Sequence, residues 1–566
     1  MTTRFLTDCR RSPERSSSHF SPVPPVQIRP HFQRRGCPVD SLRRLQAVAL
    51  AGLTVFVLTA CGTATTATPT SSAATANITP AVAIGPATVG FGTFRSQASS
   101  GKDGARYASG AAGSGDAYFP YSGNGGYDVQ HYDLALRYAP PTDPTVLTGK
   151  LSGVATITLR AKQDLQSLNF DLRGLDVAAV RVDGKAAAHG NSQGKDRAEW
   201  SQLQDDANRS WELTVGLRPK LKAGQTTTIV IAYGGITGRS LDTTEALYGW
   251  VTTADGAMVL NEPDGAATWY PVNDDPQDKA TYLFRITVPA GKTAVANGLP
   301  VGMPATKAGW TTWTWRASDP MSSYLSTASV GDFALSRDGT SAGLPIINAI
   351  DDGVTDASLA ETKAALALQP QMITFLETQF GPYPFESFGA IVDDDSVDYA
   401  LETQTRPVYS EVADEYTVVH ELGHQWFGNS VTPSDWQDIW LNEGWASYIE
   451  WLWAEHQGTA SIPDQFADTV AYLDANDGWA LNIADPGRDS LFANPVYLRG
   501  AAALYALRAE IGDDAFFAGA NLWLTRYNDS NATTEDFQAV MEESSGQQLQ
   551  TFFDDWLREG DRPAMP

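Results

Sequence analysis

The most restrictive stretch of this 566-residue chain is VVHELGHQWFGNS, residues 418–430. His420 and His424 stand four apart, so on a helix both imidazoles project from one face about one turn apart, close enough to share an ion. Glu421 lies one residue round, beside that site rather than among its ligands. A catalytic Zn²⁺ takes three protein ligands and keeps a fourth position for water. The pattern therefore demands a third ligand from another element packed across the histidine face.

The rest of the chain divides by periodicity. From residue 127 to about 335, apolar residues alternate as half-buried strands require: Tyr132, Leu134, Leu136 and Tyr138; Ala155, Ile157 and Leu159; Leu168, Phe170 and Leu172; Trp211, Leu213, Val215 and Leu217; Tyr282, Phe284, Ile286 and Val288. Turn signals such as VDGK and YGG separate them, and no sustained helical period appears. After GDFAL the pattern changes. ASLAETKAALALQPQMITFLETQFG has helical period with a Gly at its end, and Thr533 with Asp536 offers a start like a capping box for TTEDFQAVMEESSG. An all-β domain, residues 123–335, followed by a mainly helical one, residues 336–566, is the expectation.

DWQDIWLNEGWASYIEWLWAEH is a second strong helix candidate, and Glu443 stands in it nineteen positions after His424. That spacing, followed by Asn-Glu-Gly, resembles the gluzincin peptidases, in which an acid on the next helix completes the metal site. Over about residues 123–566 the chain resembles metallopeptidase family M1, the aminopeptidase N and leukotriene hydrolase family. HELGHQWFGN and WLNEGWASYIEW are similar to its zinc helices, and NEPDGAATWYPVNDDPQDKATY and PMSSYLSTASVGDF to segments of its β domain. ALETQ is similar to its Gly-Ala-Met-Glu-Asn motif, and VYLRGAAALYALR to its tyrosine helix.

The resemblance implies a saddle-like β domain packed on a thermolysin-like α domain, with the site between them. It implies one Zn²⁺ per chain on His420, His424 and Glu443, Glu421 as general base and Tyr497 assisting the transition state. It implies that Glu402 and Glu262 hold the free amine of a peptide substrate, which makes an aminopeptidase. Asp438 is a candidate to orient an imidazole from behind, as such sites usually need. His131 and His456 read as structural, and the tryptophans from Trp436 to Trp453 as packing. The chain departs from the family pattern at Tyr399, which replaces a Gly beside the substrate strand, and at Leu401 and Thr403. The arginine usual after the anchor acid is missing from AATWYP. Only 123 residues follow Glu443, too few for the large C-terminal helical domain of many members. A zinc endopeptidase of related fold and a non-catalytic surface binding lipoprotein remain open at this point.

Arg43 and Arg44 precede an apolar run from Leu45 to Leu58 and then LTAC, ending at Cys61. This is the form of a lipoprotein signal, residues 39–60, with Cys61 as the acylated first mature residue. The run is too short for a stable spanning helix. Residues 1–38 read as an extension upstream of an alternative start at Val39. Residues 61–122, rich in Ala, Thr, Ser and Gly, read as a flexible tether. The expectation is an exported protein on the outer face of a bacterial membrane, held there only by the lipid on Cys61, and acting as a monomer. Without residues 1–60, which carry nine Arg and three acids, the net charge falls from −26 to −32, a surface that repels nucleic acid and anionic lipid.

Overall fold

The computed structural model describes residues 107–190 and 198–566. The extension, the signal, Cys61 and most of the tether lie outside the described residues. Residues 107–122, expected to be tether, are instead packed on the protein. Phe119 meets Trp436 edge-on at 6.4 Å, and an Asp116 Oδ2 accepts from the Trp436 N–H at 3.0 Å. Backbone pairing of Ala108–Ser109 with strand Leu165–Asp171 adds to these contacts.

The β-rich half is built on a nine-stranded sheet. Its centre is Tyr127–Ala139 between Gly149–Ala161, antiparallel, and Ala280–Pro289, parallel. Strand Thr226–Thr237 extends it on one side and Trp310–Met321 on the other. The alternating residues do what their period requires. Leu134, Ile157, Ile229, Phe284 and Ile286 are fully buried, while their neighbours in sequence face outward. A five-stranded sheet of the same half includes Leu247–Thr252, Ala257–Leu260 and Ala328–Gly331.

The second half begins with a four-stranded sheet that the helical reading did not anticipate. It runs Phe333–Gly339, Pro345–Asp351, Phe388–Asp393 and Val408–Ser410, the last two joining in parallel. Every residue of Phe388–Asp393 is buried, and such a short, wholly buried run carries no period to read. The helical segment after it in the sequence reading is two helices, α1 (Asp356–Leu366) and α2 (Gln369–Phe380), because Pro370 in the first turn of α2 has no N–H to continue α1. The remaining helices are α3 (Glu415–Gly423), α4 (Trp440–Gln457), α5 (Ile462–Ala475), α6 (Asn494–Ile511), α7 (Asp513–Arg526), α8 (Thr534–Ser545) and α9 (Gln550–Phe553). Thr533 and Asp536 form the capping box of α8. No helix of the described residues is long and apolar enough to cross a membrane.

Two glycines decide how the site helices meet. A Cβ on Gly500 of α6 would lie 2.7 Å from the Gly444 Cα of α4, and one on Gly444 would lie 3.0 Å from Gly500 backbone. The helices therefore cross backbone to backbone, beside Glu443 on one and Tyr497 on the other.

Candidate active site

Helix α3 starts at Asp414, whose carboxylate caps the Tyr416 and Thr417 N–H groups, and ends with His424 at its C-cap. His420 and His424 are both buried, with ring centroids 4.8 Å apart. Glu443, in the first turn of α4, faces them. Its Oε2 lies 3.4 Å from His420 Nε2 and 3.5 Å from His424 Nε2. A tetrahedral ion with bonds of about 2.0–2.1 Å sets its ligand atoms about 3.3–3.4 Å apart. The two imidazole–carboxylate distances therefore already stand close to the edge lengths of a zinc tetrahedron.

The other ring nitrogens are engaged, which turns both Nε2 atoms toward Glu443. His420 Nδ1 pairs with Glu450 Oε1 at 2.7 Å, and His424 Nδ1 with the Phe427 carbonyl at 3.2 Å. Burial acts to raise the Glu443 carboxyl, yet the two imidazoles overcome it and hold it down to about 2. Burial acts to lower His420, and Glu443 with Glu450 holds it well up instead. The cluster is thus built to surround positive charge. Two imidazoles, one carboxylate and an outer carboxylate on Glu450 fit Zn²⁺ by donor type, distance and orientation.

Asp438 does not serve the imidazoles. It lies in a short turn before α4, and its Oδ1 accepts from the Thr534 N–H and hydroxyl at 3.2 and 2.5 Å, fixing the start of α8. Glu450 does the work assigned to it. The signal was present in the sequence, since Glu450 is seven residues after Glu443, two turns along the same helix face.

Glu421 is 1% exposed and its Oε2 has no hydrogen-bond partner. Burial pushes its carboxyl up to about 8, against the pull of the two histidines. Oxygens of Glu402 and Glu421 and a ring nitrogen of His424 lie within 4.8 Å of one another. Glu402 is buried with its Oε1 unpartnered, and its carbonyl is held by Gln425 Nε2 at 3.2 Å and Asn429 Nδ2 at 2.7 Å. Neither Gln425 nor Asn429 was singled out from the sequence.

Glu262 arrives from the β-rich half, two residues after strand Ala257–Leu260. Its Oε1 is likewise buried without a partner. Burial raises its carboxyl, and after burial the charges that weigh on it are Glu402, Glu443 and Glu421. Tyr497 stacks on the His420 ring at 6.2 Å, and its phenol is raised by burial and by Glu443, Glu262, Glu402 and Glu421. All seven residues expected at the site therefore converge. Tyr399 stands at the edge, donating its hydroxyl to the Leu247 carbonyl at 2.7 Å and so tying the segment before Glu402 to the β-rich half. His131 meets the Thr281 hydroxyl and His456 stacks on Phe375, both away from the metal ligands.

Comparison with known proteins agrees with this geometry. The profile described as Peptidase M1 N-terminal domain matches residues 128–325, and that described as Peptidase family M1 domain matches residues 365–556. Aminopeptidase M1-A of Oryza sativa subsp. japonica is 27% identical over 465 residues, 77% of this chain and 51% of its own. Glutamyl aminopeptidase of Homo sapiens is 29% identical over 329 residues, 54% of this chain and 34% of its own. The chain thus spans between a third and a half of the length of these curated relatives. Among solved structures, an M1 zinc metallopeptidase variant from Deinococcus radiodurans with a Tyr-Ser-Ala substrate superimposes with a TM-score of 0.71 at 30% identity, covering 80% of this chain and 99% of that one. With both halves matched by profile, and that solved chain matched almost end to end, this chain belongs to peptidase family M1.

Proposed function

We propose that the protein is a zinc aminopeptidase, releasing N-terminal residues from peptides with a free amine. The observation that carries the reading is the pair of carboxylates Glu262 and Glu402, each with a buried oxygen lacking a partner, beside the metal triad. A peptide's α-amine has a pKa of about 7.7–8.0 and is mostly cationic at neutral pH. Internal peptide bonds offer no such cation. The relatives named aminopeptidases, and the M1 relative solved with a tripeptide, support the same substrate class.

His420, His424 and Glu443 would hold one Zn²⁺, which when bound would supply Lewis acidity toward a water and the scissile carbonyl. Glu421 takes a proton from the water and hands it to the departing amine. Its unpartnered oxygen is available for that transfer. The Tyr497 hydroxyl donates to the oxygen on which negative charge develops. Glu262 and Glu402 fix the ammonium and so place the first peptide bond, and no later one, beside Glu421. Glu450 keeps the His420 ring in register.

Replacing Glu402 by Ala is expected to raise KM for unblocked aminoacyl substrates about tenfold or more, since charge-assisted hydrogen bonds contribute about 1.5–3 kcal/mol, with zinc content unchanged. An unchanged KM would remove Glu402 from amine recognition. We further infer, from the charged and apolar run ending at Cys61, that the enzyme works outside the cytoplasm on a lipid anchor. Metabolic labelling with a radioactive fatty acid, lost on Cys61→Ala, tests this.

A further inference from the structure

Glu402 hangs by its backbone from the turns that follow α3. Its carbonyl accepts from Asn429 Nδ2 at 2.7 Å and from Gln425 Nε2 at 3.2 Å. Those turns open to a wider step than the helix before them: the N–H groups of Asn429, Ser430 and Val431 reach the carbonyls of His424, Gln425 and Trp426 at 2.9, 3.2 and 3.3 Å. Bonds spanning five residues are rare and recur at functional sites. Carbonyls at the end of such a run are short of donors.

Lys279 supplies the donor from the other half of the molecule. Its Nζ donates to the Asn429 carbonyl at 2.9 Å and to the Ser430 carbonyl at 2.8 Å. Lys279 immediately precedes strand Ala280–Pro289, which is paired on both sides in the nine-stranded sheet and so gives it a rigid base. The Thr432 hydroxyl also reaches the Asn429 carbonyl, at 3.1 Å. Belonging to the same turn, it does not fix that turn against the β-rich half.

The placement of this amine is costly for a purely structural tie. Among the described residues no carboxylate forms an ion pair with Lys279. Burial lowers its ammonium to about 7, with only the charge of Asp529 in its favour, and burying a charge without a paired partner opposes folding. Both the charged and the neutral amine keep two N–H donors, so the grip on the two carbonyls holds through neutral pH.

The geometry points to Lys279 as a positioning residue for recognition of the substrate amine, acting through Asn429 on Glu402. This rests on the aminopeptidase reading above. Glu262 belongs to the β-rich half and Glu402 to the helical half, and one ammonium must meet both. Lys279 ties to the first half the turn from which the second carboxylate hangs, and thereby sets the span between them. Two further bonds join the halves just beyond, from the Gln404 N–H to the Leu325 carbonyl at 3.1 Å and from Asn297 Nδ2 to the Gln404 carbonyl at 2.7 Å. They leave the Glu402 carbonyl itself to Gln425 and Asn429. Small displacements of a positioning group cost binding and rate out of proportion to their size.

The test is steady-state kinetics on zinc-loaded wild type, Lys279→Met, Asn429→Ala and the double variant, with one peptide free and N-acetylated. Lys279→Met should raise KM for the free peptide about tenfold, with kcat within about threefold of wild type and zinc content unchanged. In the Asn429→Ala background the same substitution should add less than about twofold. Fully additive effects would make Lys279 a general brace and overturn the proposal, as would an unchanged KM in Lys279→Met. Asn429→Ala keeps Lys279 in place and should raise KM alike; if it does not, the proposal falls even where Lys279→Met fails to fold. Equal cleavage of both peptides by wild type would overturn the aminopeptidase reading and this inference with it, whereas a discriminating wild type with KM unmoved in the variants overturns this inference alone.

Discussion

Glu450 and Glu421 separate holding the metal from using it, the first by steadying His420 and the second by facing the reacting water. With its carboxylate 2.7 Å from His420 Nδ1, Glu450→Ala should weaken zinc affinity about 10–100-fold, read by competition with a chelator. Asp438→Asn should leave that affinity unchanged, because Asp438 serves Thr534 and not an imidazole. Glu421→Gln should retain zinc yet lower kcat by at least about 10²–10⁴; substantial turnover in a metal-replete variant would remove Glu421 as the base. His420 and His424 were legible in the sequence because helix geometry fixes what residues four apart can share, while Glu443 was found through the spacing that resembles the gluzincin peptidases. Glu402, Glu262 and Tyr497 were legible only through resemblance, since nothing in their spacing dictates a meeting between residues 262 and 497. Asp438 misled because closeness in sequence to α4 says nothing about which neighbour a carboxylate meets.

At the scale of elements, the crossing of α4 and α6 sets the distance between Glu443 and Tyr497. Gly500→Ala would place a methyl 2.7 Å from the Gly444 Cα, so the helices must part. A loss of about 1–3 kcal/mol of stability is expected, read by urea unfolding, together with reduced kcat. Arg499, one residue away and fully buried, donates to the carbonyls of Trp479, Leu481, Trp556 and Glu559, each at 2.7 Å. It stitches the chain's last segment to α6. Arg499→Met should cost about 3–5 kcal/mol, because several buried carbonyls would lose their donor at once. The alternating strands and the capped helices were readable because each carries a period or a cap. The four-stranded sheet was not, since its central strand is buried on both faces, and residues 107–122 were missed because backbone pairing and the Asp116 carboxylate, which leave no period in a Gly-rich run, help to hold it.

Over the whole molecule, the balance of buried acids gives stability a definite pH dependence. Burial pushes Asp278 up to about 8 and Asp274 to about 7; Asp319 rises to about 7 through burial and its neighbour Glu386. In the folded state these groups hold protons that the unfolded chain, with ordinary carboxyls near 4, has released. Stability they contribute is fully present below pH 4 and is lost as pH rises through about 7 to 8, at up to about 1.4 kcal/mol per pH unit for Asp278 and for Asp274, and less for half-exposed Asp319, which solvent screens. Lys279, which burial lowers to about 7, acts in the opposite sense above that pH and there offsets Asp278, the one of the three acids still mostly protonated. The Tm of the zinc-loaded protein should therefore fall between about pH 5 and 7, and a rise over that window would show that these carboxyls are ionised in the fold.

The central claim is that two carboxylates from opposite halves turn a zinc hydrolase toward chain ends. The most direct measurement is kcat/KM for one peptide with a free amine and for the same peptide N-acetylated, on the zinc-loaded protein. Loss of the ammonium should reduce kcat/KM by about 10² or more, since the buried oxygens of Glu262 and Glu402 that lack a partner then meet no cation. Equal cleavage of the two peptides would contradict the account.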